Sequence, residues 1–349
     1  MRVLMISRDP NVLKEGTPAF LRMNEYRTLV DSLTILLLTP HSFFSVLSHR
    51  GEYDLVTAQD PFETGLVAAR VAKRCKANLE LQVHTDFLSP FFKKESLKNK
   101  IRVFLGKRLL RKAACVRVVS KRIKRSLVAA QLCKEEVISV LPIFVDILRY
   151  RDATVIVDLH KKYTQFKKII LMASRIVTEK NISLALCAFK DAARDLPGLG
   201  LVIVGSGPLA GALEQEIKKR GLSDSVVFEP WTTALASYYK TADLFLTTSN
   251  YEGYSMTLIE AAASGCPIIT TDVGLVGDLL GPEEVAVVPV GDQKMLSRVI
   301  FDTLADGLGR TARMQNAAAR VTTVPTKEQY LQNIKTAWQT CGTVAEKKL

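Results

Sequence analysis

Twelve short apolar runs, each followed by a longer amphipathic or polar stretch, constrain this 349-residue chain more than any other feature. Six lie in the first half, at Val3–Ser7, Leu33–Leu38, Leu55–Ala58, Leu79–His84, Cys115–Val119 and Val137–Leu141. Six lie in the second, at Ile169–Ala173, Leu201–Val204, Val226–Phe228, Leu244–Leu246, Ile268–Thr270 and Ala286–Pro289. Strand-length runs alternating with helix-length segments predict parallel sheets covered by helices. Two similar series predict two α/β domains, Rossmann-like and doubly wound, at 1–150 and 151–325. The rhythm lapses between Pro142 and Phe166, where the boundary is expected.

Composition narrows the class. Hydrophobic content of 48% with 24% charged residues is ordinary for a globular protein, and the length suffices for two cores. No apolar run approaches the roughly 18 residues of a spanning helix. The opening MRVLMISRDP reads as a strand meeting a polar loop rather than a secretory leader. The six cysteines (Cys75, Cys115, Cys133, Cys187, Cys266, Cys341) show no C-x-x-C spacing and mostly lie among apolar residues. They are expected to be reduced thiols of a cytoplasmic protein. None of the four histidines has metal-ligand spacing, and no metal site is expected.

Charge is distributed unevenly. Residues 1–150 hold 26 Lys and Arg against 14 Asp and Glu, net +12, out of +13 for the whole chain. Between Lys93 and Arg125, 14 basic residues face the single acid Glu95. The first half is built to meet something anionic. Few aromatics interleave these cations and no recognised module is present, so nucleic acid is not the expected partner.

The stretch Thr247 to Gly274, TTSNYEGYSMTLIEAAASGCPIITTDVG, carries the chemistry. Glu252 follows a strand-like run and a polar turn, and Glu260 lies eight positions later on the helix-like segment Met256 to Ser264. At about 100° per residue, eight positions advance about two turns and 80°. One carboxylate therefore lies at a helix mouth and the other lower on its side. A helix N-terminus is an anion site, so the pair suits a ligand with a phosphate and several hydroxyls.

This segment resembles the E-x7-E motif of retaining glycosyltransferases of the GT-B fold, family 4 (glycosyl transferases group 1). Here the motif reads Glu252, Gly253, Tyr254, Ser255, Met256, with Glu260 followed by the Ala263–Pro267 turn. The resemblance implies two Rossmann-like domains facing across a cleft, with a helix in 326–349 crossing back to the first. It implies that Glu252 contacts the donor sugar and Glu260 the nucleotide ribose. Backbone amides of Gly253, Tyr254, Ser255, Met256 and Thr257 would hold sugar hydroxyls and diphosphate. Leu171–Asn181, LMASRIVTEKN, looks like the family's G-R-L-x-x-x-K element, with Ser174 where Gly is common. Its Arg175 and Lys180 would neutralise the donor diphosphate.

Gly205, Gly207 and Gly211 follow a strand-like run, and Glu229 ends the next one, a pattern that also suits a dinucleotide. The third glycine comes one place late for that fingerprint. In the glycosyltransferase family the same V-G-x-G-P segment shapes the nucleotide pocket around Gly207. In the first half, the resemblance sets His84 toward the donor sugar with Asp86 nearby. It gives Gly16, in the Glu15–Thr17 loop, contact with donor and acceptor, and lets Ser120 and Lys121 line the acceptor side.

Residues 91–125 form a second candidate surface. Leu97, Ile101, Phe104, Leu105 and Leu109 recur at helical spacing among Lys98, Lys100, Arg102, Lys107, Arg108, Arg111 and Lys112. Such a helix lies on an anionic membrane surface or packs its stripe on the sheet with its cations solvated; Phe91 and Phe92 are the side chains free to meet lipid. The combined expectation is a metal-independent retaining hexosyltransferase needing no cofactor beyond its nucleotide-sugar donor. Its acceptor would be a glycan or lipid-linked molecule, and its location cytoplasmic, peripheral on the inner face of the cell membrane. The alternatives are a non-catalytic basic membrane- or polysaccharide-binding protein on the same scaffold, and an NAD-dependent oxidoreductase.

Overall fold

The computed structural model describes residues 1–305 and 307–344. Strands β1 (Arg2–Ser7), β2 (Ser32–Leu37), β3 (Leu55–Ala58), β4 (Asn78–Val83), β5 (Cys115–Val118) and β6 (Ile138–Val140) form one sheet, in the order β2-β1-β3-β4-β5-β6. Strands β7 (Lys168–Ala173), β8 (Leu199–Val204), β9 (Val226–Glu229), β10 (Leu244–Thr247), β11 (Ile268–Thr271) and β12 (Ala286–Val288) form the other, ordered β12-β11-β10-β7-β8-β9. All pairings are parallel, Met5 opposite Ile35 and Met172 opposite Ile203 among them. The strands read as continuous apolar runs because crossover helices cover them: Val3 to Ile6 and Leu201 to Val204 are almost fully buried. Twelve strands were expected and these twelve form, each within two residues of its sequence boundaries.

The chain divides into two compact units. One comprises Met1–Phe144 and the segment from Pro325 onward; the other is Val145–Val324. The second unit's core packs the Ile182–Asp195 helix, through Leu186 and Phe189, on Ile170, Leu201 and Leu244. In the first unit, Val3, Met5 and Leu55 meet Met23 and Tyr26 of the Pro18–Arg27 helix and Ile334, Trp338 and Cys341 of the Lys327–Gly342 helix. That last helix opens with a capping box, Thr326 and Gln329 each satisfying the other's backbone N–H.

A polar chain inside the first unit anchors the returning helix. Trp338 Nε1 donates to Glu80 Oε2 at 3.2 Å, and Thr57 Oγ1 donates to the same oxygen at 2.6 Å. Gln82 Nε2 donates to Thr57 Oγ1 at 2.8 Å, and Arg117 donates to Gln82 Oε1 at 2.7 Å. Glu80, Gln82 and Arg117 are buried, so these bonds offset the cost of removing them from water. Asn78 Nδ2 further donates to the carbonyls of Cys341 and Val344, each at 2.9 Å.

One expectation is corrected here. Cys115 and Cys341 form a disulfide, with Cα atoms 5.8 Å apart and a sequence separation of 226 positions. No local spacing announces it, because only the return of the C-terminal helix to β5 brings the two together. Cys75, Cys133, Cys187 and Cys266 form no disulfide. Among the described residues, no helix is long and apolar enough to cross a membrane.

Trp338 is fully buried and meets Tyr26 edge-on at 5.6 Å. Trp338→Ala is expected to cost about 3–5 kcal/mol of unfolding free energy. Trp338→Phe keeps the ring and should cost clearly less. Urea unfolding of both variants checks the order; equal losses would mean that the hydrogen bond to Glu80, not the packing, holds the helix.

Candidate functional site

In the second sheet the strand order reverses between β7 and β10, and open parallel sheets take ligands outside the strand C-termini at such a point. Arg175 and Lys180 follow β7; Glu252 follows β10. Hydrogen bonds zip the two loops together. Thr248 Oγ1 donates to the carbonyls of Lys180 and Asn181 at 3.0 and 3.1 Å. The Asn250 N–H donates to the Glu179 carbonyl at 2.8 Å, and Asn181 Nδ2 donates to Asn250 Oδ1 at 3.0 Å.

This zipper brings charges into contact. The Lys180 ammonium donates to Glu252 Oε1 and lies 3.1 Å from Glu179 Oε1. Ser249 Oγ donates to the same Glu252 oxygen at 2.7 Å. The Lys180 and Glu252 side chains keep only 14% and 11% of their surface exposed. Burial works against the Lys180 charge, but Glu252 and Glu179 outweigh it and its pKa is raised. Lys180 is therefore a fixed cation that orients the Glu252 carboxylate. Arg175 is different: its side chain is 71% exposed, with one contact to Glu179 at 3.3 Å, and it is free to meet an anion.

The glycine turn after β8 supports this edge. A Cβ on Gly205 would lie 1.9 Å from the Ser174 carbonyl oxygen, and one on Gly207 would lie 2.3 Å from that of Ile176. Ile176 N–H donates to the Ser206 carbonyl at 2.8 Å. Both glycines let the turn press on the backbone that carries Arg175. Gly211 has open space around its Cβ direction. Glu229, the residue a dinucleotide reading would give to a ribose, accepts instead from Lys162 at 2.8 Å, Tyr238 at 2.7 Å and Tyr163.

The Met256–Ala263 helix begins beside this cluster in sequence and space. Ser255 precedes it at φ +78°, a left-handed conformation that a non-glycine residue rarely holds. A serine here usually caps the helix, yet this one makes no cap bond, and its buried Oγ has no hydrogen-bond partner. The first-turn amides thus lack a side-chain acceptor, the arrangement an anionic ligand completes. Gly274, at φ +60°, permits it: a Cβ there would come 2.6 Å from Ser255 Oγ and 2.9 Å from the Tyr254 carbonyl. Gly253 and Tyr254 are buried, Ser255 and Thr257 half-buried, and Met256 exposed.

Glu260 lies in the middle of that helix, buried, and accepts from Tyr239 at 3.0 Å and from Tyr150. Burial raises its pKa, the two tyrosines and Arg149 opposing that rise. The sequence reading did not single out Tyr150 or Tyr239; one lies in a short helix just past the boundary and the other in the Leu235–Thr241 helix, with no motif to mark either.

Ten of the proposed residues thus fall in the second unit's edge or its helix, but Gly16 and His84 belong to the first. Gly16 takes φ +78° ahead of Thr17, which caps the Pro18–Arg27 helix. His84 is exposed at the end of β4, with Nε2 3.0 Å from Gln82 Oε1. Asp86 is half-buried, and burial raises its pKa. Ser120 accepts from the Ile123 N–H as a helix cap. Among the described residues, no group of three His, Cys, Asp or Glu side chains is arranged to hold a metal ion.

Two family models match consecutive parts of the chain: Glycosyltransferase Family 4 over residues 2–149 and Glycosyl transferases group 1 over residues 158–321. The chain is 26% identical over 267 residues to alpha-monoglucosyldiacylglycerol synthase of Streptococcus pneumoniae, a match spanning 73% of this chain and 60% of the synthase. It is 29% identical over 130 residues to the lipopolysaccharide core mannosyltransferase LpsB of Rhizobium meliloti, spanning 35% of this chain and 36% of LpsB. Among solved structures, Anabaena HepE in complex with UDP-glucose superposes with a TM-score of 0.76 at 18% identity, over 99% of this chain and all of that one. Sucrose-phosphate synthase from Thermosynechococcus elongatus gives 0.78 at 18% identity, with the same coverage. The two models together take in both units and nearly all of the sequence, and the chain belongs to the group 1 glycosyltransferases of the GT-B fold.

Proposed function

We propose that this protein is a retaining glycosyltransferase that moves a hexosyl group from a nucleotide-diphosphate sugar to a glycan or lipid-linked acceptor, without a metal or other cofactor. One observation carries the reading. At a single strand edge, an exposed Arg175 stands beside the Lys180–Glu252 pair and an uncapped helix start. That is a receptor for a diphosphate whose sugar lies against a carboxylate. Arg175, Lys180 and the amides of Gly253 to Thr257 would stabilise charge developing on the leaving diphosphate. Glu252, held by Lys180 and Ser249, would take sugar hydroxyls, and Glu260 the ribose. The acceptor would attack from the leaving-group face, giving up its proton to the departing phosphate. Gly207 shapes the turn behind Arg175; the roles of Gly16 and His84 toward sugar and acceptor rest on resemblance alone.

The basic first unit and the lipid product named for the pneumococcal synthase support an acceptor at an anionic membrane surface, met through residues 91–125. The location proposed is peripheral, on the cytoplasmic face of the membrane.

Thermal unfolding with UDP, GDP, ADP and NAD, without added metal, tests the donor site. A nucleoside diphosphate at about 100 times its Kd should add about 2.7 kcal/mol of stability. Arg175→Ala should shrink that gain, whereas stabilisation by NAD alone would overturn the reading. Glu252→Gln is expected to lower kcat at least 100-fold, about 2.7 kcal/mol in the barrier, and also to lower the melting temperature, since it leaves the buried Lys180 with Glu179 alone. Wild-type rates from that variant would remove Glu252 from the mechanism.

Glu260 supplies a pH test. Its folded pKa is raised, so the folded state binds this proton more tightly than the unfolded state. Stability is then highest below the ordinary carboxylate pKa and falls as pH climbs through the raised value. Glu260→Gln removes the effect, and its stability relative to wild type should improve from pH 4 to pH 8 in urea midpoints. A constant difference would mean that Glu260 ionises normally.

A further inference from the structure

The Leu97–Leu110 helix has two apolar faces, not one. Asn99, Val103, Gly106, Leu109 and Leu110 turn into the unit, with Gly106 against Phe62 and Phe87. At about 100° per residue, Leu97, Ile101 and Phe104 fall within about 60° of one another on the opposite side. They are 73%, 54% and 64% exposed. The stripe expected to pack on the sheet is therefore split: Leu109 is buried against Gly65 of the Glu63–Cys75 helix, Leu105 is half-buried, and these three face solvent. Phe92 is buried, stacked on Phe62, while Phe91 is exposed.

Charge surrounds the outward stripe. The helix carries Lys98, Lys100, Arg102, Lys107 and Arg108 and no acid, and Lys100, Lys107 and Arg108 are exposed on or beside the stripe. A second copy of this chain would bring the same cations against themselves. An anionic bilayer meets both features at once, taking the apolar side chains below its headgroups and the cations among them.

Position gives the surface a purpose. The helix starts at the C-terminal edge of the first sheet, 13 residues after His84, so Leu97 lies near the strand ends that carry His84 and Asp86. Resting on the proposed transferase reading, we infer that Leu97, Ile101 and Phe104 insert into an anionic bilayer and that the acceptor is a lipid held in that bilayer rather than a soluble glycan. The strand ends then face the headgroup layer, where a lipid presents its hydroxyl without leaving the membrane.

The test compares wild type with the triple variant Leu97→Gln, Ile101→Gln, Phe104→Gln, whose exposed positions leave the core intact; circular dichroism and melting temperature confirm this. Flotation uses vesicles of phosphatidylcholine alone and with one third phosphatidylglycerol. Wild type should float with the anionic vesicles, less so in high salt, and the variant's bound fraction should fall at least tenfold. Release of nucleoside diphosphate from the donor, measured without vesicles, should be the same in both. With donor present and diacylglycerol added to the anionic vesicles, wild type should transfer sugar to it, and the variant should lose that transfer. Equal flotation of both proteins, or faster transfer to a soluble oligosaccharide than to the vesicle lipid, would overturn the inference. So would a wild-type dimer that the variant abolishes, since the stripe would then be a self-contact. Absence of donor turnover in both proteins, with vesicle binding intact, would instead sink the transferase reading and leave the membrane surface standing.

Discussion

A buried ammonium held between two carboxylates organises the candidate site of this protein. Lys180 cannot leave Glu179 and Glu252 without stranding charges that water no longer reaches, so the loops after β7 and β10 move as one piece. With Arg175 the group sums to zero net charge, so the proposed hold on an anion would come from arrangement rather than from excess. The exposed guanidinium is outermost, the buried ammonium lies behind it, and the open helix start is alongside. Ser255 pays for that opening with a left-handed backbone and an unpartnered hydroxyl, both tolerable because Gly274 clears the space beside them.

Much of this was legible in the sequence because it rests on local rules. Apolar runs of strand length, spaced by helices, located all twelve strands, since a sheet covered on both faces leaves no polar alternation to confuse the pattern. Glu252 and Glu260 were singled out by their spacing across one loop and helix, and Arg175 and Lys180 by resemblance to a family element. What was hidden depends on partners far apart in the chain. The Cys115–Cys341 bond, the Trp338–Glu80–Thr57 chain and the hold of Tyr150 and Tyr239 on Glu260 each join segments with no shared motif.

The glycines after β8 and the Leu97–Leu110 helix show a subtler limit. Gly205 and Gly207 fit a phosphate-binding pattern, but their lack of a side chain is used first against the Ser174–Ile176 backbone. Along the helix, periodicity detected apolar residues correctly without telling which of two opposed faces each would join. Leu97 and Leu109 differ by about 120° around the axis, enough to send one to solvent and the other to the core.

The chain leaves the first unit after Phe144 and re-enters it at Pro325, so the second unit is an insertion with both ends moored in the same body. A protease cut before Pro325 would leave the units joined by the chain at Phe144, and a cut after Phe144 would leave them joined through a helix whose indole is sealed beneath Tyr26 and Glu80. Separation needs two breaks, or the cut after Phe144 together with reduction of the Cys115–Cys341 bond and extraction of that helix. The molecule is in this sense topologically redundant: its terminal helix acts as a latch that keeps a nicked chain in one piece.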